Sequence, residues 1–207
     1  MTTYKRSSLA LAVLALLVEA PMHPYRMQQL IKSRGKDQVI NVRQRGSLYQ
    51  VIERLERDEL IAPQGVERGE GRPERTIYEV TAMGRKVAID WLRDMLAEPQ
   101  NEFPEFPVAI SFLGLMTPQE TAGLLEARLG YLLGHERKLM ADLETYLPTL
   151  PRVLLLENEY MLAVTRAERQ WVEAIVADIR SGALDWGEAS LRKIAHLLES
   201  GEPPKPG

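Results

Sequence analysis

The stretch Arg43-Gln-Arg-Gly-Ser-Leu-Tyr-Gln50-Val-Ile-Glu-Arg-Leu-Glu-Arg-Asp-Glu59 carries two patterns at once. Leu48, Val51, Ile52 and Leu55 recur at i, i+3, i+4 and i+7, the spacing that puts apolar side chains on one face of a helix. This predicts a helix over about 43–59 with its apolar stripe turned to a core. At about 100° per residue, Gln50, Glu53 and Arg57 then project on the opposite side, flanked by Tyr49 and Arg54. Arg43 and Arg45 stand at the N-terminal end, where backbone N–H groups also attract phosphate. Gly46 and Ser47 are small enough to let a sugar–phosphate strand come close. Arginine can bond guanine bidentately and glutamine can pair with adenine, so the composition is that of a helix that reads a DNA groove. Taken alone, the same residues also describe an ordinary solvated helix face.

The residues that follow weigh against that plainer reading. Two β-like runs, Leu60 to Glu67 and Arg75 to Thr81, flank the segment Arg68-Gly-Glu-Gly-Arg-Pro73. An arginine-bearing, glycine-rich hairpin beside a groove-reading helix is what is needed to straddle a DNA backbone, with Arg68, Arg72 and Arg75 as phosphate contacts. Upstream, two more helices are expected. Ser8 to Glu19 is apolar on most sides and reads as a buried helix. Tyr25 to Arg34 presents Met27, Leu30 and Ile31 on one face and stops at Gly35. Thr81 caps a fourth helix, about Ala82 to Ala97. Helix, helix, helix, hairpin, helix is the order of a winged helix-turn-helix with a two-stranded wing, assigned to residues 1–98.

A proline-bearing linker, Glu98 to Pro107, marks the boundary to a second, α-helical domain over residues 108–200. Thr117-Pro-Gln-Glu120 combines a capping box with proline at the first helical position and opens a helix reaching about Leu147. A second helix covers about Arg152 to Ser181, a short one about Gly187 to Glu199, and the Gly/Pro-rich tail is expected to be disordered. Leu125, Leu129, Leu132, Leu139, Leu143 and Leu147 share one side of the first long helix. Leu155, Leu162, Trp171, Val172, Ile175, Val176 and Ile179 do so on the second. Helices this long exceed what a module of about 100 residues needs, which points to a homodimer; a self-contained helical hairpin is the alternative. The fold class is therefore mainly α.

Of 207 residues, 45% are hydrophobic and 27% charged, which is ordinary for a soluble globular protein. The net charge of −3 is unevenly spread: residues 1–90 hold 15 Lys/Arg against 11 Asp/Glu, and the remainder holds 11 against 18. A basic front and an acidic back direct the front toward a polyanion. There are no cysteines, so disulfides, thiolate zinc sites and thiol nucleophiles are excluded, in keeping with a cytoplasmic protein. Lys5-Arg6 ahead of Leu9–Val18 looks like the start of an export signal, but Ser7 and Ser8 read better as a helix cap and the run is too short to span a bilayer. His23, His135 and His196 are far apart and in no metal-ligand spacing. No nucleophile elbow or phosphate loop appears. Gly69 and Gly71 join two β-runs rather than a strand and a helix, so they form no dinucleotide site. Neither an enzyme nor a cofactor is expected.

Gly46-Ser-Leu-Tyr-Gln50, Arg54-Leu-Glu-Arg-Asp58, Leu60-Ile61, Gly71-Arg-Pro-Glu-Arg75, Tyr78 and Thr81-Ala-Met-Gly84 resemble the signature of the PadR family, the phenolic-acid-decarboxylase regulators, with its α-helical C-terminal domain. The resemblance implies a homodimeric regulator, usually a repressor, released from its operator by a small molecule. It also implies that Tyr49 contacts the DNA backbone. Glu59 departs from the pattern, which has glycine there, and is expected to extend the helix or shift the turn.

The expected partners are double-stranded DNA with a palindromic operator, a second copy of the chain, and a small hydrophobic or aromatic effector. The DNA-binding set is Arg43, Arg45, Ser47, Tyr49, Gln50, Arg54, Arg57, Arg68, Arg72 and Arg75. Phe112, Tyr160, Met161 and Trp171 are the candidate effector residues, although such side chains also serve simply as core. The reading from a different class is a winged-helix adaptor that binds proteins without sequence-specific DNA binding.

Overall fold

The structure is a computed structural model and describes residues 4–41, 45–67, 74–100 and 102–187. The chain separates into two units, Met1–Glu102 and Phe103–Gly207.

In the first unit, α1 (Ser8–Glu19) is capped by Ser7, whose hydroxyl accepts from the Ala10 N–H at 3.2 Å. Leucine, valine and alanine surround this helix, and it is buried against α4, α3 and β2. The run that mimics an export signal is thus the centre of the core. No helix among the described residues is long and apolar enough to cross a membrane. α2 (Pro24–Ser33) starts on proline, which has no N–H to leave unpaired, and Gly35 follows it at φ 67°. α3 (Arg45–Arg57) turns Leu48, Ile52 and Leu55 into the core and leaves Val51 half-buried at its edge. β1 (Ile61–Glu67) and β2 (Arg75–Val80) pair antiparallel from Ile61 opposite Val80 to Glu67 opposite Arg75, with a register shift between Pro63 and Gly65. α4 (Ala82–Ala97) adds Val87, Ala88 and Trp91 to the same core.

How α3 ends corrects one expectation. Glu59 neither lengthens the helix nor shifts the turn: it takes the left-handed conformation, φ 57°, that glycine would take. The Glu59 N–H bonds the Glu56 carbonyl and the Leu60 N–H bonds the Leu55 carbonyl, both at 2.9 Å. These are the two bonds of a Schellman stop, and the buried Leu55 and Leu60 supply its usual apolar contact. The stop is then clamped by α4. The Thr81 N–H and hydroxyl both donate to the Leu60 carbonyl at 3.1 Å, and the hydroxyl also reaches the Glu59 carbonyl at 2.9 Å. Thr81 Oγ1 accepts the Gly84 N–H at 3.0 Å, capping α4. A Cβ on Gly84 would lie 1.9 Å from the Leu60 oxygen, so only glycine lets α4 sit this close.

In the second unit, α5 (Glu105–Ser111) begins inside the expected linker. Pro107 falls in its first turn, where no helical N–H is required, so it helps to start a helix instead of interrupting one. α6 (Pro118–Tyr146) is capped by Thr117 and packs along α7 (Leu156–Ser181), which stops at Gly182 with φ 78°. The first turn of the second predicted long helix is a separate 3-10 turn, Arg152–Leu154. Leu125, Leu132, Val172 and Ile179 are buried between the two helices. Leu147 is half-exposed beyond the stripe that predicted it. Ion pairs lace the hairpin: Glu126 with Arg180, Arg128 with Glu168, and Glu136 with both Arg166 and Arg169. Their numbers rise on one helix as they fall on the other, which fixes the pair as antiparallel. The short helix expected over 187–199 and the tail lie outside the described residues.

Glu59→Gly removes a left-handed strain of about 1–2 kcal/mol and gives back part of it as chain entropy. Urea unfolding should therefore show a net gain of about 0.5–1 kcal/mol. Gly84→Ala should lose about 3 kcal/mol or more, because its methyl group has no space. In the second unit the guanidinium groups of Arg166 and Arg169 hold the Glu136 carboxyl below its ordinary value of 4.5. A depressed carboxyl stabilises the fold above that value and stops doing so as pH falls through its lowered one. Melting temperature should fall as the solution is acidified below about pH 4.5, and Glu136→Gln should flatten that fall.

Candidate nucleic-acid interface

Because α3 buries Leu48, Ile52 and Leu55, its opposite side is free. Tyr49 is 52% exposed, Gln50 and Glu53 are exposed, and the Arg57 side chain is 73% exposed. Glu53 and Arg57 are one helical turn apart, yet Arg57 turns to Asp58, its Nε lying 3.8 Å from Oδ1. Arg54 flanks this row. It is half-buried, and its Nη2 is enclosed with no hydrogen-bond partner among the described residues. Ser47 is half-buried. Arg45 opens the helix, but only its backbone is described; Arg43, Arg68 and Arg72 lie outside the described residues.

Arg75 is the first residue of β2, and its guanidinium lies over the ring of Tyr25, 4.9 Å from the centroid. Tyr25 in turn stacks on His23 at 6.1 Å. The imidazole of His23 does two jobs. Nδ1 accepts the Arg26 N–H at 3.0 Å, capping α2, so the ring proton is on Nε2, which lies 3.2 Å from Glu67 Oε2 at the end of β1. Arg75, Tyr25, His23 and Glu67 therefore tie the two strands of the wing to the first turn of α2. Met22 adds a backbone tie, exchanging two 3.1 Å hydrogen bonds with Tyr78. The Tyr78 hydroxyl is pushed up from its ordinary pKa, first by burial and then by the nearby Glu56 and Glu53 on α3.

The result is an open cavity of about 240 Å³ between α2, α3 and the wing, walled by His23, Tyr25, Tyr49, Arg75, Thr76 and Tyr78. Sequence reasoning named Tyr49 and Arg75 and missed His23 and Tyr25. Their available signal was position: a capping histidine and an aromatic in the first turn of the helix preceding α3. The arrangement offers a cation on an aromatic platform beside an exposed polar row, which suits a phosphate backbone next to base edges.

The candidate effector residues are not brought together in one place. Phe112 caps the end of α5; Tyr160 and Met161 lie in the first turns of α7. Trp171 is ten or eleven residues farther along, about 15 Å at 1.5 Å per residue. Trp171 instead meets Phe106 edge-on at 6.1 Å, and Arg128 stacks on the same Phe106 at 3.5 Å.

Residues 13–89 match the model of the transcriptional regulator PadR-like family. No curated protein sequence matches the chain. Among solved structures, Bacillus subtilis PadR in complex with operator DNA is similar at a TM-score of 0.68 and 19% identity, over 84% of this chain and 99% of that one. The same protein in complex with p-coumaric acid gives 0.64 and 19%, over 83% and 98%. The PadR-like transcriptional regulator BC1756 from Bacillus cereus gives 0.59 and 13%, over 84% and 99%. At these identities the structural likeness establishes the fold, a winged helix-turn-helix followed by a helical unit. The family match is thus confined to residues 13–89 of the first unit, which resemble the PadR-like transcriptional regulators, while the likeness over most of the chain is one of fold.

Proposed function

We propose that the chain is a repressor that binds a palindromic DNA operator as a homodimer and is released by a small hydrophobic or aromatic molecule. The observation that carries the DNA reading is the pairing of an outward row on α3, Tyr49, Gln50 and Arg57, with a wing arginine, Arg75, held on Tyr25 across the cavity. A protein-binding adaptor needs no such cation. The similarity to a relative solved on operator DNA supports the same reading. Within this reading Arg75 meets phosphate, Tyr49 packs on the backbone, and Gln50 reaches a base edge. Arg43, Arg45, Arg68 and Arg72 would extend the phosphate contacts.

The homodimer reading rests on the second unit. α6 and α7 bury a narrow core yet expose Leu124, Tyr131 at 73%, Tyr160 at 67% and Val164. Gly130 and Gly134 on α6 have open space where a Cβ would stand, although a glycine inside a helix costs about 1 kcal/mol relative to alanine. A second copy seated on these helices would cover the apolar side chains and use the close approach that the glycines permit. The effector reading draws on the relative solved with p-coumaric acid and on Trp171, 42% exposed against Phe106.

Two experiments test this function. Affinity for a selected operator and for random duplex, measured between about 50 and 200 mM salt, should separate the two elements. Arg75→Ala should weaken both DNAs alike and reduce the slope of log affinity against log salt by about one. Gln50→Ala should spare the slope and cost operator binding about 1–3 kcal/mol more than random binding. Wild-type protein that ignores DNA would leave the adaptor reading in its place. Light scattering after size exclusion should give twice 23.5 kDa, and Tyr131→Glu should shift the mass toward one chain. A strictly monomeric wild type at micromolar concentration overturns the dimer.

A further inference from the structure

An acidic side chain on a surface that meets DNA is costly, because it faces the phosphates. Glu53 sits in the middle of the exposed row on α3, three residues after Gln50 and four before Arg57, so the three share one face. A solvated i,i+4 pair with Arg57 is the simple way to neutralise it, and the structure does not use it: Arg57 turns to Asp58, and no ion pair reaches Glu53 among the described residues. Glu56, the other acidic residue near Tyr78, is half-buried, whereas Glu53 is exposed. The Glu53 carboxylate is therefore exposed and left with acceptor capacity at the point where a groove-reading helix meets base edges.

We infer that Glu53 is a specificity-determining residue that accepts a hydrogen bond from the N4 amine of a cytosine in the major groove; the inference rests on the DNA-binding reading of α3. A carboxylate has only acceptors, so it needs a donor edge. Guanine shows N7 and O6, both acceptors, and thymine shows O4. Adenine pairs its N6 donor with the N7 acceptor, which suits the amide of Gln50 and repels a carboxylate. Cytosine offers the N4 amine alone. Gln50 and Glu53 are separated by about 4.5 Å along the helix axis, against about 3.4 Å per base step. Their targets, an adenine and a cytosine, accordingly lie within two base pairs of each other. The charge weakens binding to every duplex and so favours discrimination over affinity.

The test is selection from a random duplex pool with the full-length wild type, Glu53→Gln and Glu53→Ala, each checked for unchanged helical content. The wild type should select a half-site with a cytosine next to, or one removed from, the adenine read by Gln50. Glu53→Ala should reduce discrimination at that base pair by on the order of tenfold, the lower part of the range for a base contact, while holding or raising affinity for random duplex. Glu53→Gln should move the preference there from cytosine toward adenine. If the wild type selects a motif and both variants select the same motif with equal discrimination, Glu53 reads no base and the inference falls while DNA binding stands. If the wild type selects nothing, the DNA-binding reading falls and takes this inference with it.

Discussion

The carbonyl of Leu60 is the point on which the first unit turns. It ends the connection out of α3, precedes the first residue of β1, and accepts both the N–H and the hydroxyl of Thr81 as α4 begins. Gly84 then lies so close to it that a single methyl group would collide. Three elements thus meet at one peptide group, and their mutual angles are set there by hydrogen bonds and hard contact rather than by side-chain fit. The outward row of α3 and the root of the wing acquire their relative position at this junction. A disturbance here should reach the interface even though neither Thr81 nor Gly84 belongs to it.

The wing is secured at a second place by different physics. Its strands are bonded to Met22 through backbone groups and to the first turn of α2 through His23 and Tyr25. The guanidinium of Arg75 is held on a ring, so less side-chain entropy would be lost if a partner engaged it. The surface is nonetheless not uniformly basic. Glu53, Glu67 and Glu74 lie among the cations, and a mixed face of this kind trades general attraction for orientation and choice.

The second unit has a different balance. The α6–α7 hairpin has few buried side chains and many ion pairs at its margins. Exposed ion pairs contribute about 0–1 kcal/mol each, so they align the helices more than they stabilise them. The exposed apolar side chains on the same helices remain the larger unspent source of stability, of the kind that only another surface could cover.

Local pattern determined a good deal of this protein. The 3.6-residue spacing of Leu48, Ile52 and Leu55 is sufficient to orient α3. Alternating β-branched and aromatic residues mark β2, and Ser7, Thr81 and Thr117 mark helix starts, because each of these signals acts within a few residues of chain. The Gln50, Glu53 and Arg57 row was legible for the same reason. Other features depended on residues that only the tertiary structure brings together. Glu59 adopts a glycine-like turn because Leu60 must enter the core and Ile61 must begin β1, and that demand outweighs the local preference against positive φ. The enclosure of Arg54 Nη2 at the flank of that row depends on the packing around α3. Tyr25 and His23 reach Arg75 and Glu67 across more than 40 residues of sequence, and no spacing rule connects them. Pro107 reads as a linker residue until its place in a first helical turn is known. Helix periodicity is a property of one segment, whereas a platform, an enclosed guanidinium nitrogen or a strained turn is a property of several segments meeting, and only the folded core decides where they meet.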